Sequence, residues 1–132
     1  MTAPSDLLPG IRWWRVIGGG LLIELALMVV SVPLVGMSRA EELQLIVPPL
    51  TLPVAFLTGL WVALRAVRPV LNAALAGAIA IPVYGVIVVV AMLVAPGVSD
   101  TSAALSPAYL TTHAFKVLGA AAGGWWTARR RG

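Results

Sequence analysis

Two ionisable residues, Glu24 and Lys116, lie inside long apolar stretches near the two ends of the chain. A charged side chain at the centre of a bilayer costs roughly 2.5–3.5 kcal/mol even on an insertion scale, so it is retained for a structural or functional reason. One interpretation is a buried ion pair that determines which helices meet. The other is a site at which Glu24 binds a proton or a cation, with its affinity tuned by Lys116 and His113.

Further polar and small residues recur at the three- and four-residue spacing that places side chains on one helix face. In the last apolar stretch this face consists of Tyr109, Thr112, His113, Lys116, Gly119 and Gly123. Gly119 and Gly123, together with Gly77 in the third stretch, predict close helix packing. The predicted polar interior is lined by Glu24, Ser31, Thr51, Thr58, Tyr84, Thr112, His113 and Lys116. Buried Ser and Thr commonly bond their own helix backbone, so a structural role is favoured for the neutral residues.

The composition predicts a membrane protein. Of the 132 residues, 60% are hydrophobic and 11% charged, whereas roughly 25% charged residues are usual in soluble domains. There is no cysteine and only one histidine, His113, which argues against a disulfide or a protein-built zinc site, and no cofactor is expected. The net charge of +4 does not indicate nucleic-acid binding, because the basic residues cluster where membrane helices end.

Four segments are long enough to cross a hydrocarbon core of about 30 Å. They span approximately residues 16–37, 45–64, 70–95 and 108–127. The predicted fold is therefore all-α: an integral membrane bundle of four transmembrane helices in one domain, 1–132, with a mobile tail at 1–11. In an up-down-up-down bundle we expect the first and fourth helices to be antiparallel neighbours. Counting residues places Glu24 about 12 Å and Lys116 about 17 Å from the same boundary, which favours their pairing.

The arginines predict the orientation. On one side of the four-span arrangement lie Arg12, Arg15, Arg65, Arg68, Arg129, Arg130 and Arg131, and on the other only Arg39. This bias places both termini in the cytoplasm of a multi-pass inner or plasma-membrane protein. The tryptophans fall at the same inner level. A cleaved signal peptide at the start of the chain is disfavoured. The apolar run of a signal peptide is usually only about 7–15 residues long, whereas the first apolar stretch here is longer and contains Glu24.

Prolines form a second pattern. Pro48 and Pro49 suit the first turn of the second span, whereas Pro33, Pro53 and Pro82 lie within spans. Each of these three removes a backbone hydrogen bond and is predicted to bend or break its helix in the outer half. Ordinary packing kinks are the favoured interpretation, but breaks above polar residues also suggest an outward-facing vestibule.

The segment Gly18–Glu24 (GGGLLIE) resembles the first helix of the small multidrug resistance transporters, four-span proteins with an intramembrane glutamate. The similarity covers this helix only. Those proteins have no lysine that matches Lys116, and the later spans, with Pro48, Pro49 and Pro82, do not match theirs. We interpret the resemblance as convergence.

No catalytic motif accompanies these features. There is no phosphate-binding loop, no Ser/His/Asp constellation and no pair of carboxylates within the apolar stretches, so we do not expect an enzyme. We expect an accessory or oligomerising membrane subunit held by a Glu24–Lys116 pair. Its partners would be the lipid bilayer, further copies of itself or a larger membrane protein, and no nucleic acid. The alternative is a small proton- or cation-coupled transporter or channel that uses Glu24 with His113 and Lys116.

Overall fold

The computed structural model describes residues 9–37, 40–95 and 107–132, and all of its regular structure there is helical. The helices are α1 (Trp13–Gly36), α2 (Ala40–Ala63), α3 (Pro69–Val94) and α4 (Pro107–Arg129). Three of them, α1 to α3, are long and apolar enough to cross a membrane. Helix α4 has comparable length but is less apolar, because it carries Thr111, Thr112, His113 and Lys116.

Helix α2 extends further towards the N-terminus than the apolar pattern indicated. It begins at Ala40 rather than near Leu45, with Glu41 and Glu42 in its first turn, where the helix dipole favours acidic side chains. Pro48 and Pro49 therefore lie inside the helix, and their predicted place in a first turn is wrong.

The other helix prolines also leave their helices unbroken. Pro33 lies within α1, Pro53 within α2 and Pro82 within α3, and each helix is continuous through its proline. These prolines were predicted to bend or break their helices, and the predicted breaks are wrong. A proline removes only one hydrogen bond of the ladder, and the bonds on either side can carry the helix through.

The helices pack in an order that differs from the chain order. Helix α4 packs most extensively on α2 and then on α3, while α1 packs on α3 and α2. Helices α1 and α4 have almost no backbone contact within the described ranges and lie diagonally across the bundle. The prediction that they are neighbours is wrong, because glycines, rather than loop connections, determine which backbones approach each other closely.

The closest approaches occur at glycines. A Cβ atom at Gly123 of α4 would lie 2.8 Å from the Leu60 nitrogen of α2, and one at Gly59 would lie 2.8 Å from Ala120 Cα. Gly119 faces Ala55 of α2 across the same contact. Such distances leave no room for a side chain, so these helices meet backbone to backbone.

Helix α3 makes contacts of the same kind with both α4 and α1. A Cβ at Gly77 would lie 2.7 Å from Val117 Cα of α4, and one at Gly20 of α1 would lie 2.8 Å from Ile79 Cγ2. The buried core between the helices is correspondingly built from small and medium side chains. Its two clusters are Ile23, Leu27, Ala55, Ala80 and Ala120, and Ile11, Val16, Val62 and Ala76. Many other hydrophobic residues, such as Val29, Leu45 and Leu93, are exposed on the outside of the bundle.

The segment before α1 is fastened to α3. The buried Asn72 side chain donates to the Gly10 carbonyl at 3.1 Å and accepts from the Arg12 amide at 2.8 Å. Ile11 between them is buried. The mobile tail predicted for residues 1–11 therefore includes too many residues, because the Asn72 side chain of α3 hydrogen-bonds the backbone at Gly10 and Arg12. Residues 1–8 lie outside the described ranges.

Candidate functional site: a buried ion pair with an aromatic flank

Glu24 of α1 and Lys116 of α4 meet in the middle of the bundle. Lys116 Nζ lies 2.5 Å from Glu24 Oε1, and the exposed fractions of the two side chains are 1% and 4% respectively. Because their helices are diagonal, the two side chains extend towards each other through the space between α2 and α3. Ala55 of α2 and Ala80 of α3 are fully buried in one core cluster, and as small residues they occupy little of this space.

The counter-charge of the Glu24 carboxylate is the Lys116 ammonium. Among the described residues, no hydrogen-bond donor with good geometry reaches Glu24 Oε1, so the neighbouring ammonium is its electrostatic partner. A buried carboxylate without a counter-charge is costly in any apolar medium. The position of Lys116 is therefore decisive for keeping Glu24 inside the fold.

The ammonium has two more neighbours. Lys116 Nζ lies 3.3 Å from His113 Nδ1, one turn earlier on α4, and 4.9 Å from the centre of the Tyr84 ring of α3. An ammonium has three hydrogens to donate and no acceptor, so Nδ1 accepts and a neutral imidazole carries its proton on Nε2. The face of the tyrosine ring adds a cation–π contact.

The aromatic flank extends from the ion pair along α4. The Tyr84 ring stacks edge-on to His113 at 5.2 Å and lies 5.6 Å from the Tyr109 ring. All three side chains are half-buried. The structure thus brings Tyr84 and His113 to the ion pair, and Tyr109 with them, on the side nearer the start of α4.

The predicted hydroxyl residues do not join this cluster. Each of their hydroxyls donates to the carbonyl four residues earlier in its own helix: Ser31 to Leu27, Thr51 to Val47, Thr58 to Val54 and Thr112 to Ala108. Thr51, Thr58 and Thr112 are buried but are satisfied locally. They fit among apolar neighbours without leaving a polar group free for a ligand.

A second polar feature escaped the sequence reasoning. Guanidinium groups cover carbonyls at the end of α2 and in the turn after it: Arg15 donates to Trp61 at 3.3 Å and to Leu64 at 2.8 Å, and Arg131 donates to Ala63 at 3.1 Å and to Ala66 at 3.0 Å. A helix C-terminus leaves carbonyls unpaired and carries a partial negative charge, which arginines satisfy. The concentration of arginines on one side of the predicted four-span arrangement was the available sequence signal.

The chemistry available at the ion pair is electrostatic. Within the described ranges, no three His, Asp or Glu side chains come together to hold a metal ion. Comparison with known proteins finds no matching family model, no matching curated protein and no matching solved structure.

Proposed function

We propose that this chain is a non-catalytic, four-span protein of the inner or plasma membrane with both termini in the cytoplasm, acting as an accessory or oligomerising subunit. The observation that supports this most is the enclosed Glu24–Lys116 contact, with both side chains almost inaccessible. A carboxylate that contacts a lysine directly at 2.5 Å is suited to holding two diagonal helices together. It leaves no room for a transported ion between the two groups.

The contacts at the arginine-rich end of the bundle support the four-span arrangement. Arg15 at the start of α1 and Arg131 after α4 both reach the C-terminus of α2. Asn72 at the start of α3 holds the segment before α1. Alternate helix ends thus share one side of the bundle, as an up-down-up-down path requires. Arginines concentrated at one side favour the cytoplasm for that side.

The alternative is a small proton- or cation-coupled carrier or channel. It is favoured by the half-buried His113 and Tyr84, which connect the enclosed Lys116 with the less buried part of the bundle. Ionisable residues inside membranes often form such relays.

The role of the pair is tested by the Lys116→Met and Glu24→Gln variants. Each leaves a buried group without its partner and should cost about 3–5 kcal/mol, measured by thermal or denaturant unfolding in detergent. The double variant should lose less than the sum of the two, since the partners are coupled. Glu41→Gln, which removes an exposed carboxylate from α2, is the control and should change little. Unchanged stability in Lys116→Met would contradict the structural role.

The transport alternative is distinguished from the subunit role by measuring uptake into proteoliposomes across a pH gradient. We expect no proton- or cation-coupled flux from the unaltered protein; a flux that Glu24→Gln abolishes while the fold persists would establish the alternative.

The subunit role predicts either a homo-oligomer or a co-purifying membrane protein after extraction in mild detergent. A monomer without a partner at native expression would argue against that role.

A further inference from the structure

A shallow groove lies between α2 and α4 at the arginine-rich end of the bundle. It has a volume of about 340 Å³ and is lined by Leu60, Leu64, Trp126, Thr127, Arg130 and Arg131. Leu64 and Trp126 are 48% and 43% exposed, so apolar surface is open along the groove. The Thr127 hydroxyl is satisfied by the Gly123 carbonyl, so the two arginines are the side chains of the lining that can donate to a ligand.

The two guanidinium groups are held in place before any ligand arrives. Arg131 donates through Nη1 to Ala66 and through Nη2 to Ala63, at 3.0 and 3.1 Å. A guanidinium has five N–H donors, so further donors remain for an acceptor outside the chain. The Arg130 guanidinium lies 5.0 Å from the centre of the Trp126 ring, which restrains it at the edge of the same groove.

We propose that this groove binds one anionic phospholipid, with its phosphate on Arg130 and Arg131 and an acyl chain against Leu60, Leu64 and Trp126. The charge selects the ligand: two cations and no acidic residue line the groove, so a headgroup with net negative charge is favoured over a zwitterionic one. Arginine matches phosphate oxygens with paired N–H donors. The inference depends on the proposed membrane placement, with this end at the cytoplasmic headgroups.

The chain offers a matched pair of variants for the headgroup. Arg129 lies 4.4 Å from the Trp125 ring, just as Arg130 lies beside Trp126, but Arg129 and Trp125 do not line the groove. Arg130→Gln and Arg129→Gln therefore remove the same charge from neighbouring positions. Binding is measured by native mass spectrometry of the detergent-solubilised protein titrated with phosphatidylglycerol or with phosphatidylcholine. We expect about fivefold weaker phosphatidylglycerol binding in Arg130→Gln and almost none of that loss in Arg129→Gln.

The acyl-chain contact is tested by a second pair of variants, Trp126→Ala and Trp125→Ala. Only Trp126→Ala should shorten the time for which phosphatidylglycerol stays bound to the protein. Equal losses in Arg129→Gln and Arg130→Gln would indicate general charge attraction and would overturn the site, as would equal binding of the two lipids. A copy of the chain or another protein occupying the groove in place of lipid would also overturn it. These failures leave the membrane placement untouched. Partition of the unaltered protein into detergent tests membrane residence separately, and labelling of Gly132→Cys with a membrane-impermeant maleimide, before and after the membrane is opened, tests which end faces the cytoplasm.

Discussion

At the scale of single residues, Lys116 contacts side chains from three helices: Glu24 of α1, Tyr84 of α3 and His113 of its own helix, α4. A charge within an apolar stretch is visible by inspection, and depth counting predicted that Glu24 and Lys116 could meet. The further contacts of Lys116 with His113 and Tyr84 depend on rotamers and on the register between α3 and α4. Those are results of packing, which no single-helix pattern contains.

Asn72 is the residue that sequence reasoning missed most clearly. It is the only asparagine in the chain and lies, fully buried, near the start of α3. A lone amide in an apolar helix signals a hydrogen-bonding role, but its partners, Gly10 and Arg12, lie outside any helix, where no periodic pattern marks them.

Replacing Asn72 by leucine should release the segment before α1. Asn72→Leu leaves the Arg12 amide and the Gly10 carbonyl without their side-chain partner, at a cost of about 1–3 kcal/mol in the free energy of unfolding. Hydrogen exchange should accelerate at residues 10–12, and the melting temperature in detergent should fall. Gln44→Leu, at an exposed position of α2, is the control. Unchanged exchange at residues 10–12 in Asn72→Leu would show that this anchor is not needed.

At the scale of helices, glycine placement explains the packing better than polarity does. The small-residue repeat predicted close packing around Gly77, Gly119 and Gly123, and all three lie where backbones approach each other. The partner glycine Gly59 of α2 was not identified, because it stands alone, without a second glycine one turn away. Close approach requires space on both helices, and only one of the two faces carried a recognisable pattern.

Gly123→Ala should separate α2 from α4. The added methyl group would meet the backbone at Leu60, so we expect a loss of about 1–3 kcal/mol in the free energy of unfolding. Gly85→Ala of α3 is the matched control, since nothing lies within 4 Å of a Cβ built there. Alanine has the higher helix propensity, so this control should be neutral or slightly stabilising. Similar melting temperatures for the two variants would contradict the assigned contact between α2 and α4.

At the scale of the whole molecule, the helical class and three membrane-length helices follow directly from hydropathy, because every backbone polar group in lipid must be paired within its own helix. The arrangement of those helices does not follow from hydropathy. Chain order suggested that α1 and α4 are neighbours, yet they are diagonal, and side-chain length closes the gap between Glu24 and Lys116. Which helices are neighbours in such a bundle depends on the shapes of the helix surfaces, whereas the loops between helices only limit the possible arrangements.

The four-span topology is the broadest prediction, and the absence of cysteine makes it directly testable. We expect Gly132→Cys, at the C-terminus, to react with a membrane-impermeant maleimide only after the membrane of spheroplasts is opened. Asp100→Cys, in the segment between α3 and α4 outside the described ranges, should react in intact spheroplasts. The arginines at the α2 C-terminus provide the reason, since positive charge is retained in the cytoplasm during insertion. Labelling of both cysteines from the same side would mean that α4 does not cross the membrane. Glu24 and Lys116 could then still pair, but not as an intramembrane contact between two spanning helices.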